Sequence, residues 1–174
     1  MSLLTILQYP DPRLKRIGLK VENFDAAFQK VVDDMFETRY TTPQCAALAA
    51  TQLDLNPAWS VTVIDLSEKG DEPLCLVNPI IIHTEGEHIE TEGCMSVYPK
   101  FIHEKVKRAK KITVQAQDRY GQPLEITAEG YLAQCIQHEV DHLLGRIFVD
   151  KLPSFKVEKI KRKIKKYHRH FKEN

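Results

Sequence analysis

The segment His138-Glu139-Val140-Asp141-His142 restricts what this 174-residue chain can fold into more than any other stretch. It follows the pattern His-Glu-x-x-His, in which the histidines stand one helical turn apart. On a helix, residues i and i+4 share a face, so two imidazoles can grip one ion. Glu139 is turned roughly 100° around the helix from His138. It can reach a water on that ion without taking a ligand position. Asp141 flanks the same face on the other side, and geometry alone does not choose between the two acids. Leu132, Cys135, Ile136, Leu143 and Leu144 recur at helical spacing, with Gly130 near the start and Gly145 just past the end. That periodicity predicts a largely buried helix. Ionisable side chains on a buried helix are costly unless paired or bound to metal. Burial therefore favours a ligand role over two solvated surface histidines.

A catalytic metal typically takes three protein ligands and keeps one position open. The extended pattern His-Glu-x-x-His-x-x-Gly-x-x-His fits through Gly145 and then meets Phe148 where the last histidine belongs. Acids after His142 are sparse: Asp150, and Glu158 and Glu173 in a strongly basic tail. The better candidate lies upstream in Glu92-Gly93-Cys94-Met95-Ser96. A thiolate is a strong ligand for borderline metals, and Gly93 permits an unusual backbone. Spacing alone slightly favours reading Cys94 as a small buried apolar residue.

The rest of the chain reads as one globular domain of mixed structure. Periodicity predicts a helix from about Asp25 to Tyr40, burying Phe28, Val31, Val32, Met35 and Phe36, and stopped by Pro43. Strand-like runs follow at Trp59–Leu66, Leu74–His83, Lys111–Gln117 and Leu124–Thr127. Asp118–Pro123 reads as a hairpin turn and Ser67–Pro73 as an exposed loop. These elements argue for an α+β fold: antiparallel β-sheets packed around a central metal-binding HExxH helix, with a C-terminal helix. No run approaches a membrane span, and the N-terminus shows no signal peptide. Four cysteines at 45, 75, 94 and 135 have no C-x-x-C pairing. Reduced thiols and a cytoplasmic location are the expectation.

The charge distribution is uneven. Residues 151–174 hold ten Lys/Arg against two Glu, a net +8, while the remainder holds 15 Lys/Arg and 22 Asp/Glu, a net −7. In that tail Val157, Ile160, Ile164, Tyr167 and Phe171 recur at spacings of three and four. This predicts a basic amphipathic helix with one apolar stripe. Its lysines are either merely solvated on a docked helix or an electrostatic contact for phosphates. An anionic membrane surface is a weaker option, because packing needs the stripe.

Glu-Gly-Cys-Met-Ser at 92–96 followed by Gln-His-Glu-Val-Asp-His at 137–142 resembles the peptide deformylases, which remove the formyl group from N-terminal formylmethionine. Ile6–Leu14 resembles that family's opening, and Leu48-Ala49-Ala50-Thr51-Gln52 the end of its first motif. The resemblance implies that Cys94, His138 and His142 bind one divalent metal ion, with Fe(II) native and Zn(II) or Ni(II) as substitutes. Glu139 is implied as general base and then acid, while Gln52 and the Met95 N–H hold the oxyanion. Hydroxide generated at the ion would attack the formyl carbon and release formate. Ala46, Ala47, Gly93, Tyr131, Gln134 and Cys135 are implied as substrate-binding. Glu92 and Arg108 are implied as an ion pair bracing the Cys94 loop. Residues 1–152 form the implied catalytic domain, with 153–174 a basic helix of the same domain. Expected partners are formylmethionyl nascent chains and the ribosome, reached through that helix. No DNA or membrane partner is expected, and the expected state is a monomer.

The departures from the family pattern are local. Cys45 and Ala47 replace two glycines of the first motif, and Ala46 stands where a larger aliphatic residue is usual. Tyr131 and Gln134 replace aliphatic residues near the methionine pocket, and no arginine follows Pro99 closely. These put substrate preference in question more than chemistry. Two further readings are a non-catalytic ribosome-binding relative, and a metallopeptidase of another His-Glu-x-x-His class. The complete metal and acid–base set opposes the first. Cys94, with no downstream ligand, opposes the second.

Overall fold

The computed structural model describes residues 2–172, without the side chains of 170–172. Phe171 in the apolar stripe and Glu173 therefore lie outside the described side chains. The first helix, α1 (Ala26–Thr41), starts where Asp25 accepts a hydrogen bond from the Phe28 N–H at 3.0 Å. It buries Phe28, Val32 and Met35, while Val31 and Phe36 are only half-buried. Three strands follow: β1 (Ala47–Ala49), β2 (Val61–Ile64) and β3 (Leu74–Glu85). A short ribbon of β4 (His88–Glu92) and β5 (Glu104–Arg108) precedes the hairpin of β6 (Lys111–Gln117) and β7 (Pro123–Glu129). Helices α2 (Gly130–Leu143) and α3 (Ser154–Lys172) complete the described chain.

The main sheet is antiparallel throughout, in the order β1-β2-β3-β6-β7. Side chains alternate between the faces of a strand, and the core divides accordingly. Leu48, Val61, Val63 and Val77 pack with Phe28, Val32 and Met35 of α1. Ala47, Ile64, Leu76, Ile112 and Val114 pack with Ala133, Cys135, Ile136 and Val140 of α2. A third cluster joins Leu14, Cys94, Val106 and Phe148 to Ile160 and Ile164 of α3. The apolar stripe of the basic tail is thus docked on the segment that carries Cys94.

Strand limits differ modestly from those read in the sequence. β2 is shorter than Trp59–Leu66 because Asp65 leaves the strand to accept hydrogen bonds from the Ser67 N–H and hydroxyl at 2.9 and 2.6 Å. The turn between β6 and β7 is held by Asp118, which accepts from the Tyr120 and Gln122 N–H groups at 2.8 and 2.9 Å. Strands β1, β4 and β5 carry no clear sequence signal. α2 ends at Gly145, whose φ of +70° and N–H bond to the His142 carbonyl close the last turn. A Cβ there would lie 2.3 Å from the Lys15 carbonyl oxygen, so only glycine fits. No described helix is long and apolar enough to cross a membrane.

Candidate metal centre

α2 presents His138 and His142 on one face, and the turn after β4 brings Cys94 against them. The two Nε2 atoms lie 3.2 Å apart, and Cys94 Sγ lies 3.2 Å from His142 Nε2. All three donor atoms fall within 4.8 Å of one another, and all three residues are buried. A tetrahedral ion with metal–nitrogen bonds near 2.0–2.1 Å and a metal–sulfur bond near 2.3 Å sets its ligand atoms about 3.3–3.6 Å apart. The donors are therefore already spaced to hold one ion. The fit extends to the tautomer. His138 Nδ1 lies 3.0 Å from Glu92 Oε2, so Nδ1–H donates to the carboxylate and the Nε2 lone pair faces the other donors. Burial pushes the His142 imidazole well below its ordinary pKa, favouring the neutral form that ligates.

The acids sort by partner. Arg108 donates to both oxygens of Glu92, at 2.7 and 2.9 Å, and also to Asp141. Lys151 lies 3.1 Å from Asp141 as well. Burial alone would raise the Glu92 carboxyl, but the bonds from Arg108 and His138 outweigh it and hold it at about 2. Glu139 has no such partner: its Oε2 is buried without a hydrogen bond, and burial pushes its carboxyl up to about 7. The two acids that helix geometry leaves equivalent thus differ in their surroundings: Arg108 engages Asp141 and not Glu139.

A cavity of about 230 Å³ opens in front of these groups. Its walls include Ala46, Ala47 and Gln52 from the first motif, Gly93, Cys94 and Met95 from the Cys94 turn, and Tyr131, Gln134, Cys135, His138 and Glu139 from α2. Gln52 Nε2 points to Cys94 Sγ at 3.5 Å and Ser96 Oγ at 3.2 Å, while its Oε1 accepts from the Ala49 N–H at 2.9 Å. The Met95 carbonyl accepts from Gln8 Nε2 at 2.8 Å. No described residue accepts from the Met95 N–H. Ala47 lines the cavity, whereas Cys45 packs in the α1 cluster with its thiol pushed up to about 12 by burial. The cysteine replacing the first glycine therefore turns away from the cleft.

Sequence reasoning passed over Gln8, which also accepts from the Tyr98 N–H at 3.3 Å. It also passed over Thr51, whose hydroxyl donates to the His142 carbonyl at 2.8 Å. Both stand inside segments that carried the resemblance, which was the only available signal. His103 lines the cavity from beside Gly93, and no pattern pointed to it.

Donor chemistry and cavity together place the protein among metal-dependent hydrolases. Comparison with known proteins narrows this. The sequence profile of the family described as Polypeptide deformylase matches residues 3–158, and the chain belongs to that family. It is 55% identical over 167 residues to peptide deformylase 1 of Coxiella burnetii, covering 96% of this chain and 98% of the relative. It is 49% identical over 166 residues to the peptide deformylase of Chromobacterium violaceum, covering 95% and 96%. A crystal structure of a peptide deformylase from Legionella pneumophila superposes with a TM-score of 0.89 at 41% identity, covering 99% of each chain. One from Ehrlichia chaffeensis in complex with actinonin gives 0.88 at 36% identity, covering 97% and 99%.

Proposed function

We propose that the chain is a peptide deformylase that hydrolyses the N-formyl group of formylmethionine on nascent polypeptides and releases formate. The observation that carries this is the buried Cys94–His138–His142 donor set beside the buried Glu139 carboxyl, whose Oε2 has no hydrogen-bond partner. α2 is then the metal-binding helix around which the sheets are arranged. The ion would be Fe(II), with Zn(II) or Ni(II) as substitutes. When bound, it supplies Lewis acidity and lowers the pKa of water toward neutrality.

The residues divide the remaining work. Ala46, Ala47, Gly93, Tyr131, Gln134 and Cys135 enclose the first residue of the substrate and orient the formyl carbon toward the ligand atoms. Glu139 takes the proton from the attacking water. The Gln52 amide and the Met95 N–H donate to the oxyanion that develops on the formyl oxygen. Glu139 then returns the proton to the departing amine nitrogen, and formate leaves. The pair of Glu92 and Arg108 keeps His138 in its ligating tautomer.

Residues 1–152 form the catalytic unit in this reading, and α3 is a docked helix of the same domain. Its exposed lysines, among them Lys159, Lys163 and Lys166, suit ribosomal RNA phosphates. The protein acts in the cytoplasm as a monomer, with no DNA or membrane partner. Charge reversal at those three lysines tests the ribosome contact. Sedimentation with ribosomes should fall while turnover of a short peptide persists, and unchanged sedimentation refutes the contact. For the chemistry, protein loaded anaerobically with Fe(II) or Ni(II) should release formate from a formyl-methionyl peptide. Glu139→Ala should keep the ion and lose turnover, and full activity in that variant refutes the assignment.

A further inference from the structure

Resting on the deformylase reading, we infer that Gln134 makes the first-residue pocket a hydrogen-bonding site that accepts N-formyl peptides beginning with methionine sulfoxide. Gln134, Cys135 and His138 stand three, four and seven residues after Tyr131 along one face of α2, and all four line the cavity. Gln134 is only 7% exposed, yet its carboxamide makes no hydrogen bond to any described residue. It faces the metal-side cavity and also the adjoining groove that contains Glu90 and Thr91. The carboxamide opens onto the cavity, so its NH₂ is available to an acceptor carried in by the substrate.

The position suits methionine sulfur. Gln134 stands one turn from His138, a rise of about 6 Å along the helix. The formyl carbon and the thioether sulfur are separated by five bonds, a comparable span. Ala47 and Cys135 supply apolar wall beside it, since burial pushes the Cys135 thiol well above its ordinary pKa and keeps it uncharged. A thioether is only a weak acceptor and does not answer the Gln134 NH₂. Methionine sulfoxide has the same length and a strongly polar S=O oxygen. It accepts from the carboxamide while its methyl group keeps the apolar wall. The reaction is unchanged: the C–N bond of the formamide is hydrolysed, and the sulfoxide leaves intact on the peptide.

The test compares formate release by Ni(II)-loaded enzyme from formyl-Met-Ala-Ser and from the same peptide carrying methionine sulfoxide. The readout is the ratio of the two kcat/KM values, which is internally normalised against a partly active variant. Gln134→Leu should lower the sulfoxide-to-methionine ratio about ten-fold, the worth of one hydrogen bond. Gln134→Glu keeps the shape and polarity but presents acceptors only, and should lower the ratio at least as much. A purely structural role of Gln134 would move both substrates together. A ratio unchanged in both variants, or no turnover of the sulfoxide peptide by the parent enzyme, overturns the inference and leaves the deformylase reading standing. No formate from either peptide with folded, metal-loaded parent enzyme overturns both.

Discussion

Replacing Arg108 with methionine removes the group that three hydrogen bonds tie to two carboxylates. Arg108 and Glu92 side chains are each 3% exposed and Asp141 is 11% exposed, so water cannot replace the guanidinium. Breaking a buried pair from one side typically costs about 3–5 kcal/mol, because the other charge stays behind. A second route gives a similar figure. Glu92 is held at about 2 against an ordinary 4.5, which corresponds to about 3 kcal/mol. Part of that belongs to the His138 bond, while release of Asp141 adds to the loss. At roughly 2–4 °C per kcal/mol for a chain near this size, Tm should fall by about 6–20 °C at pH 7. Melting followed by circular dichroism in chelator keeps metal linkage out of the comparison. The pH dependence has a definite sign. A depressed carboxyl pKa contributes stability above about 4.5 that is lost as pH falls toward 2. Without Arg108, Glu92 protonates readily and its burial penalty disappears in acid. The deficit of Arg108→Met should therefore narrow between pH 7 and pH 4. A deficit under about 2 °C at pH 7, or one that widens in acid, refutes the reasoning.

Gln52→Glu keeps the acceptor for the Ala49 N–H but removes the donor aimed at the cavity. It should lower kcat by about 10²–10³ in the formate assay, and a change below ten-fold removes Gln52 from the oxyanion site. Ile160, only 2% exposed in the cluster around Cys94, should cost about 2–5 kcal/mol when cut to alanine. Denaturant titration reads that loss directly, and a value near zero would mean that α3 is not docked as described. Saturating ion at about 1,000 times its Kd should stabilise the parent protein by about 4 kcal/mol. Cys94→Ala should lose most of that increment in a thermal shift titration, and an unchanged shift excludes Cys94 as a ligand.

Helical periodicity made α1 and α2 legible, because a 3.6-residue apolar repeat records which face meets the sheet. The hairpin of β6 and β7 was legible through its turn residues. The β4–β5 ribbon was not. Its residues are mostly charged or polar, Ile89 is 61% exposed, and opposite charges such as Glu87 and Lys107 sit across it. Alternating hydrophobicity reports a half-buried strand, and this ribbon buries mainly Val106, Glu92 and Arg108. The three-residue β1 is too short to show any period. The resemblance named Cys94, but spacing could not, since the 43 residues between it and His138 carry no distance information.

That unreadable ribbon also sets the surroundings of the two acids on α2. On α2 alone, Glu139 and Asp141 are near-equivalent neighbours of the metal face. β4 and β5 carry Glu92 and Arg108 to one side of that helix, and Arg108 binds Asp141. Asp141 is held by a guanidinium and a lysine. Glu139, whose Oε2 is buried without a partner, has its carboxyl pushed up to about 7 by burial. The difference between the two acids is therefore written in the ribbon, 31–33 residues upstream of Glu139 and Asp141 at its Arg108 end. A chain with the same helix and a different ribbon would lose that distinction. This is why His-Glu-x-x-His identifies a candidate ion site by itself, while Arg108 decides which of its acids is held by a guanidinium.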